Sequence, residues 1–123
     1  MGYTASAIDY NRSMYHDGRY VGMRWSDNQM EAMDRYLFDG LLPGGHMEAM
    51  LAREYERALF NADIHSRTVF WATAMWIREN VPEVAQGSYA NIKAWCKSPE
   101  LREQFRIECE KKYMWDKLKE ETL

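Results

Sequence analysis

The chain has 123 residues, 46% of them hydrophobic and 14% aromatic: one domain's length, with enough apolar material for a core and too much for wholesale disorder. Its 16 Lys and Arg against 19 Asp and Glu leave a net charge of −3 with no basic arm, so direct nucleic-acid binding is not expected. No apolar run reaches membrane-spanning length, since Arg78 and Glu79 end the longest, and the polar, Tyr-rich first twenty residues do not read as a signal peptide; the expectation is a soluble, intracellular protein.

Residues 1–25 read differently from the rest. Tyr3, Tyr10, Tyr15, Tyr20 and Trp25 recur through a segment of weak helical pattern, and Asp17-Gly18 is a hairpin-type turn signal. The expectation is a short N-terminal arm or hairpin, which is marginal alone and needs the helical body or another subunit to pack on.

Residues 26–123 read as the helical domain. Ser26 stands three residues before Gln29, the capping-box spacing, and Met30, Met33, Tyr36 and Leu37 form the apolar stripe of a first helix. Asp39-Gly40 ends it, with Gly40 suited to a left-handed cap. A second helix is expected near His46 to Phe60, with Met47, Met50, Leu51, Tyr55, Ala58 and Leu59 inward and Glu48, Arg53, Glu54 and Arg57 in water.

Asp63 can cap a third helix, Ile64 to Asn80, which Val81-Pro82 stops. Val69 to Ile77 leaves it almost no polar face, so it is expected to be buried all round and central to the domain. Gly87-Ser88 opens a short fourth helix with Ile92, Ala94 and Trp95 inward. Ser98-Pro99-Glu100 starts a fifth, which carries Leu101, Phe105, Cys109, Tyr113 and Leu118 on one side. Its charged faces suit a solvated helix with supporting pairs such as Glu108 with Lys112. The fold class is therefore all-α, a compact bundle of about five helices.

No catalytic signature is present: there is no GxSxG, HExxH or phosphate-loop motif, and no catalytic residues can be assigned. Cys96 and Cys109 lack metal-ligand spacing, and His16, His46 and His65 are scattered. A non-enzymatic protein without metal or cofactor is expected.

Binding is better supported. Pro43-Gly44-Gly45 strips the backbone of side chains where the second helix begins, so the N–H groups of Gly44, Gly45 and His46 could seat an anion, with Arg53 and Arg57 further along the outward face. The competing reading is a sharp corner that needs positive φ and close helical approach. Five Trp, eight Tyr and nine Met are a heavy load for so small a domain, so some belong in a ligand pocket or a subunit interface. Tyr113 and Trp115 are the candidates for contact with a neighbouring chain.

From Asp39 to Trp95, nearly half the chain, the sequence shows Gly40, then Pro43-Gly44-Gly45, Met47, Ala49, Met50 and Leu51. Ala58, Ala62-Asp63, Pro82, Gly87-Ser88 and Trp95 follow. In this spacing it resembles a widespread family of small tailed-phage proteins. The family usually has an aromatic after the Gly pair, where this chain has His46, and often Trp before Gly-Ser, where it has Gln86. The resemblance implies a phage accessory role in the host cytoplasm, directed against host defence.

Three functions fit these readings. The leading one is an oligomeric sponge, probed with cyclic nucleotides and related phosphorylated molecules, that sequesters a nucleotide-type immune signal at Gly44, Gly45 and His46 with help from Arg53 and Arg57. The alternative is a protein inhibitor docking on a host defence enzyme or nuclease complex. The third is a virion-assembly or regulatory factor. A homo-oligomer is expected in the leading case.

Overall fold

The computed structural model describes residues 25–122, with side chains through residue 112. The expected N-terminal arm or hairpin of residues 1–25 lies outside the described residues, apart from Trp25. Among the described residues the chain is all-α, with seven α-helices and two short helical turns.

Local capping signals set most of the boundaries. The helix α1 (Asp27–Asp34) begins with the expected capping box: Ser26 Oγ accepts from the Gln29 N–H at 3.3 Å, and the Ser26 N–H donates to Gln29 Oε1 at 2.9 Å. It runs into a π-helical turn (Arg35–Asp39) and ends at Gly40, which takes the left-handed conformation with φ 71°.

The expected second helix is two helices, α2 (Gly45–Leu51) and α3 (Tyr55–Phe60). Between them Arg53 adopts φ 62° and closes a Schellman cap: its N–H donates to Met50 O and the Glu54 N–H to Ala49 O. No glycine marks this break. Leu59, expected inward, is exposed, and Glu48 is half-buried.

The expected third helix is α4 (Ile64–Thr68) and α5 (Phe70–Asn80), offset at Val69. The ladder is interrupted there: the Val69 N–H donates to His65 O and closes α4, and the Thr73 N–H donates to Val69 O and opens α5. Asp63 caps α4, accepting from the Ser66 N–H at 2.7 Å. After a 3₁₀ turn (Glu83–Ala85) come α6 (Tyr89–Lys97), capped by Ser88, and α7 (Pro99–Thr122). Ala94 on α6 and Leu101 on α7, both expected inward, are exposed. On α7, Arg106 pairs with Glu103 and Glu110.

The central element is α2 rather than the third predicted helix. It packs on α3, α5 and α6, and Met47, Ala49, Met50 and Leu51 are all buried. Around it stand Met33, Tyr36, Leu37, Trp76, Ile77, Ile92 and Trp95. Polar atoms of three rings are paired: Trp95 Nε1 donates to Tyr36 O at 3.1 Å, Tyr36 Oη to Ala85 O at 2.7 Å, and Trp25 Nε1 to Thr73 Oγ1 at 2.7 Å. Trp25 also packs on Trp76, with centroids 5.2 Å apart, which fastens the start of the described chain to α5. The helix α7 closes the other side, Phe105 stacking on Phe38 at 5.4 Å and meeting Trp95 edge-on.

Candidate functional site

Gly44 has φ 105°, a conformation that a side chain would strain, so the corner into α2 needs glycine there. Gly45 is different. A Cβ at either glycine would meet nothing within 4 Å, and Gly45 carries no positive φ. The corner therefore accounts for Gly44, but close helical approach does not account for Gly45. No side chain caps α2, and among the described residues the first-turn N–H groups of Gly45, His46 and Met47 meet no acceptor.

These groups border a cleft of about 280 Å³, lined also by Asn28, Gln29, Pro43, His46 and Ser66. That is just below the usual range of roughly 300–1,000 Å³ for small-molecule pockets. The lining holds no Asp, Glu, Lys or Arg, and mixes the hydrogen-bonding Asn28, Gln29, His46 and Ser66 with the apolar Ala32, Pro43 and Met47. Its polar atoms are partly committed: Gln29 Nε2 donates to Ser66 Oγ at 3.5 Å. His46 Nδ1 lies 2.9 Å from Ala58 O, which can only accept, so that nitrogen carries its proton and ties the start of α2 to α3.

Arg53 and Arg57 do not join this cleft. Arg53 Nη2 donates to Gln86 Oε1 at 3.1 Å, and Arg57 sits over the Tyr89 ring, its Cζ 5.5 Å from the centroid, with Nη1 3.4 Å from the phenol oxygen. The break at Arg53 carries both guanidinium groups to the Gln86–Tyr89 loop. The expected grouping of Gly44, Gly45 and His46 with Arg53 and Arg57 is thus corrected: the structure brings together the first three and separates the two arginines. Tyr113 and Trp115 lie on α7 beyond the last described side chain, so their contacts fall outside the described residues.

The two thiols are free cysteines, Cys96 half-buried and Cys109 buried, and burial pushes the Cys109 thiol up to about 12. Among the described residues no group of three His, Cys, Asp or Glu could hold a metal ion, and no described helix is long and apolar enough to cross a membrane.

Comparison with protein-family models, with curated proteins and with solved structures finds no match.

The largest departure from expectation lies on α4 and α5. Ile64 is 82% exposed, Trp71 75% and Met75 51%, with Phe60 at 81% and Leu59 at 44% on the end of α3 just before them. The helix pair is buried on one side only, through Val69, Phe70, Thr73, Trp76 and Ile77. A sequence signal for this existed. Arg67 and Arg78 are eleven residues apart, which is three helical turns, so they mark one stripe that must face water; Ile64, Trp71 and Met75 share it. Apolar composition on both faces masked that stripe.

Proposed function

We propose that this chain is a non-enzymatic binding protein that works by docking on another protein. The observation that supports the reading is the exposed row of Phe60, Ile64, Trp71 and Met75. Single exposed hydrophobic residues are ordinary, but Ile64, Trp71 and Met75 along α4 and α5, with Phe60 at the end of α3 shortly before them, concentrate large exposed apolar side chains in the way that marks interaction sites. A Trp at the centre of such a patch, with arginines in the same stripe, has the composition of an interface hot spot. With the phage resemblance, the partner is a host defence enzyme or nuclease complex and the chain its inhibitor.

The test is capture from host lysate with the wild-type chain and with Trp71→Glu. A partner held by the first and lost by the second supports the reading. The same proteins held by both, or none by either, defeats it.

A second reading is sequestration of a small phosphorylated molecule. The open cleft beside an uncapped turn favours it, together with a Gly45 that internal packing does not require. Arg53 and Arg57, held at Gln86 and Tyr89, add no charge to that cleft. Thermal melting with a panel of cyclic dinucleotides and ADP-ribose derivatives separates the two readings, because a bound ligand raises the melting temperature by mass action.

A further inference from the structure

We propose that Arg53 and Arg57, both carried to the Gln86–Tyr89 loop, form a seat for the phosphate group of a small molecule, with Lys93 at its edge. The seat is separate from the cleft at Gly44 and Gly45 and from the face of Trp71, so it stands or falls apart from both readings above.

The first observation is convergence. Arg53 Nη2 donates to Gln86 Oε1 at 3.1 Å, and its Cζ lies 3.8 Å from the place a Cβ would take on Gly87. Arg57 Nη1 lies 3.4 Å from the Tyr89 phenol oxygen, with its Cζ 5.5 Å from the ring centroid. Gln86 and Tyr89 are three steps apart in the chain, which spans at most about 11 Å. The exposed Lys93 follows Tyr89 by one turn on the same side of α6.

The second is charge. Arg35 and Arg106 each pair with a glutamate near them in sequence. Glu54, Glu56 and Glu83 are near the loop in sequence, yet among the described residues no carboxylate comes within ion-pair distance of Arg53, Arg57 or Lys93. Like charges gathered without a counter-charge repel one another, and an anion seated between them turns that repulsion into attraction.

The third is preorganisation. The Gln86 amide nitrogen is fixed by Ile77 O and Val81 O, so Oε1 holds Arg53 in one direction, and the Tyr89 ring holds Arg57. Part of the side-chain freedom that binding removes is therefore already gone. Each guanidinium carries five N–H donors and spends one of them here, which leaves its fork for the oxygens of an anion. Two guanidinium groups and an ammonium call for more than the single charge of a carboxylate. A phosphate ester supplies about −1.5 to −2 at pH 7, with three acceptor oxygens.

Nuclear magnetic resonance of the ¹⁵N-labelled full chain tests this, with sodium pyrophosphate as the probe at constant ionic strength. An open seat of this kind should half-saturate on the order of 1 mM, so a titration to about 20 mM covers it. Saturable amide shifts are expected at Gly87, Ser88 and Tyr89. They should vanish in Arg57→Gln and, independently, in Arg53→Gly, with the remaining amide spectrum unchanged, and persist in Trp71→Glu. Sodium acetate should not reproduce them. The exposed Arg67 and Arg78, which join no ion pair among the described residues, are the internal comparison.

No saturable shift at residues 86–89 overturns the proposal, as do shifts that survive both arginine variants. Equal shifts around Arg67 and Arg78, or the same response to acetate, also overturn it, because pyrophosphate would then be reading surface charge alone. Saturation confined to Gly44, Gly45 and His46 overturns this seat and supports the cleft instead. Capture of a protein through Trp71 is unaffected by any of these results.

Discussion

Arg53 donates a hydrogen bond to Gln86, thirty-three residues further along, and that bond joins the left-handed break between α2 and α3 to the loop that leads into α6. Gln86 is buried and uses its whole amide: Nε2 donates to Ile77 O at 3.0 Å and to Val81 O at 2.8 Å, closing carbonyls at the end of α5. Around the same junction, the Gly87 N–H donates to Leu51 O at 2.7 Å and Asn91 Nδ2 to Gln86 O at 2.7 Å. One side chain therefore holds three segments in register.

The two ends of that bond should respond unequally to substitution. Gln86→Ala leaves the Val81 carbonyl and the Arg53 guanidinium without their partner, while the Ile77 carbonyl keeps the Val81 N–H, and should destabilise the fold by about 1–3 kcal/mol. Arg53→Gly loses the same bond but relieves a left-handed residue worth about 1–2 kcal/mol per position, so its net effect should stay within about 1 kcal/mol. Urea denaturation of both variants checks this. A larger loss for Arg53→Gly than for Gln86→Ala would show that the network does not hold the break.

Two glycines should behave in opposite ways. Gly40 has φ 71°, and a Cβ there would meet the Arg102 guanidinium at 2.6 Å and Cys96 O at 2.9 Å. Arg102 is itself fixed, donating to Trp95 O and Cys96 O at 2.8 Å each, so it has little freedom to move aside. Gly40→Ala should cost more than about 2 kcal/mol, through backbone strain and the displaced cap together. Gly45→Ala meets nothing and enters a first helical turn, where alanine is favoured by up to about 1 kcal/mol. It should be neutral or stabilising in thermal melts; a clear loss would mean that the Gly44–Gly45 corner is packed in a way the structure does not show.

What was legible in the sequence was local. Ser26 with Gln29, Asp63, Ser88 and Ser98 each satisfy helix-end N–H groups from within three residues, and Gly40 ends its helix by its own conformational freedom, so these boundaries can be read without knowing the fold. The break at Arg53 could not. Its left-handed residue is not glycine, and its support comes from Gln86, brought near only by the folded chain. That one missed break also misplaced the candidate site, because it takes Arg53 and Arg57 away from Gly44 and Gly45. The competing reading of the corner, a turn that needs positive φ, fits Gly44 but not Gly45, and the water-facing stripe of α5 is hidden in the sequence because that face is nearly as apolar as the inward one.

Asp63 gives the fold a defined acid sensitivity. The Ser66 N–H, then the Ser66 hydroxyl, hold its carboxyl below the usual carboxylate range, because both donate to the charged form. A lowered native value means that the ionised cap stabilises the fold above the unfolded pKa of about 3.9, and that this contribution disappears as pH falls through the native value. The stability gap between the wild type and Asp63→Ala should therefore be full near neutrality and shrink once the pH drops below about 4. Denaturation curves across that range measure it directly. A gap that stays constant into strong acid would mean that the carboxylate charge contributes nothing to the cap.

Trp71 and Trp76 stand five residues apart on α5, yet one is 75% exposed and the other fully buried. Truncating Trp76 removes a ring packed on Trp25 and opens a cavity at the centre of the cluster, so Trp76→Ala should cost about 3–5 kcal/mol. Truncating Trp71 removes only an edge contact to Phe70, with centroids 5.2 Å apart, and in the isolated fold should cost less than about 0.5–1 kcal/mol. Melting curves of both variants supply the measurement. A Trp71→Ala loss as large as that of Trp76→Ala would place Trp71 inside the fold and remove the docking face.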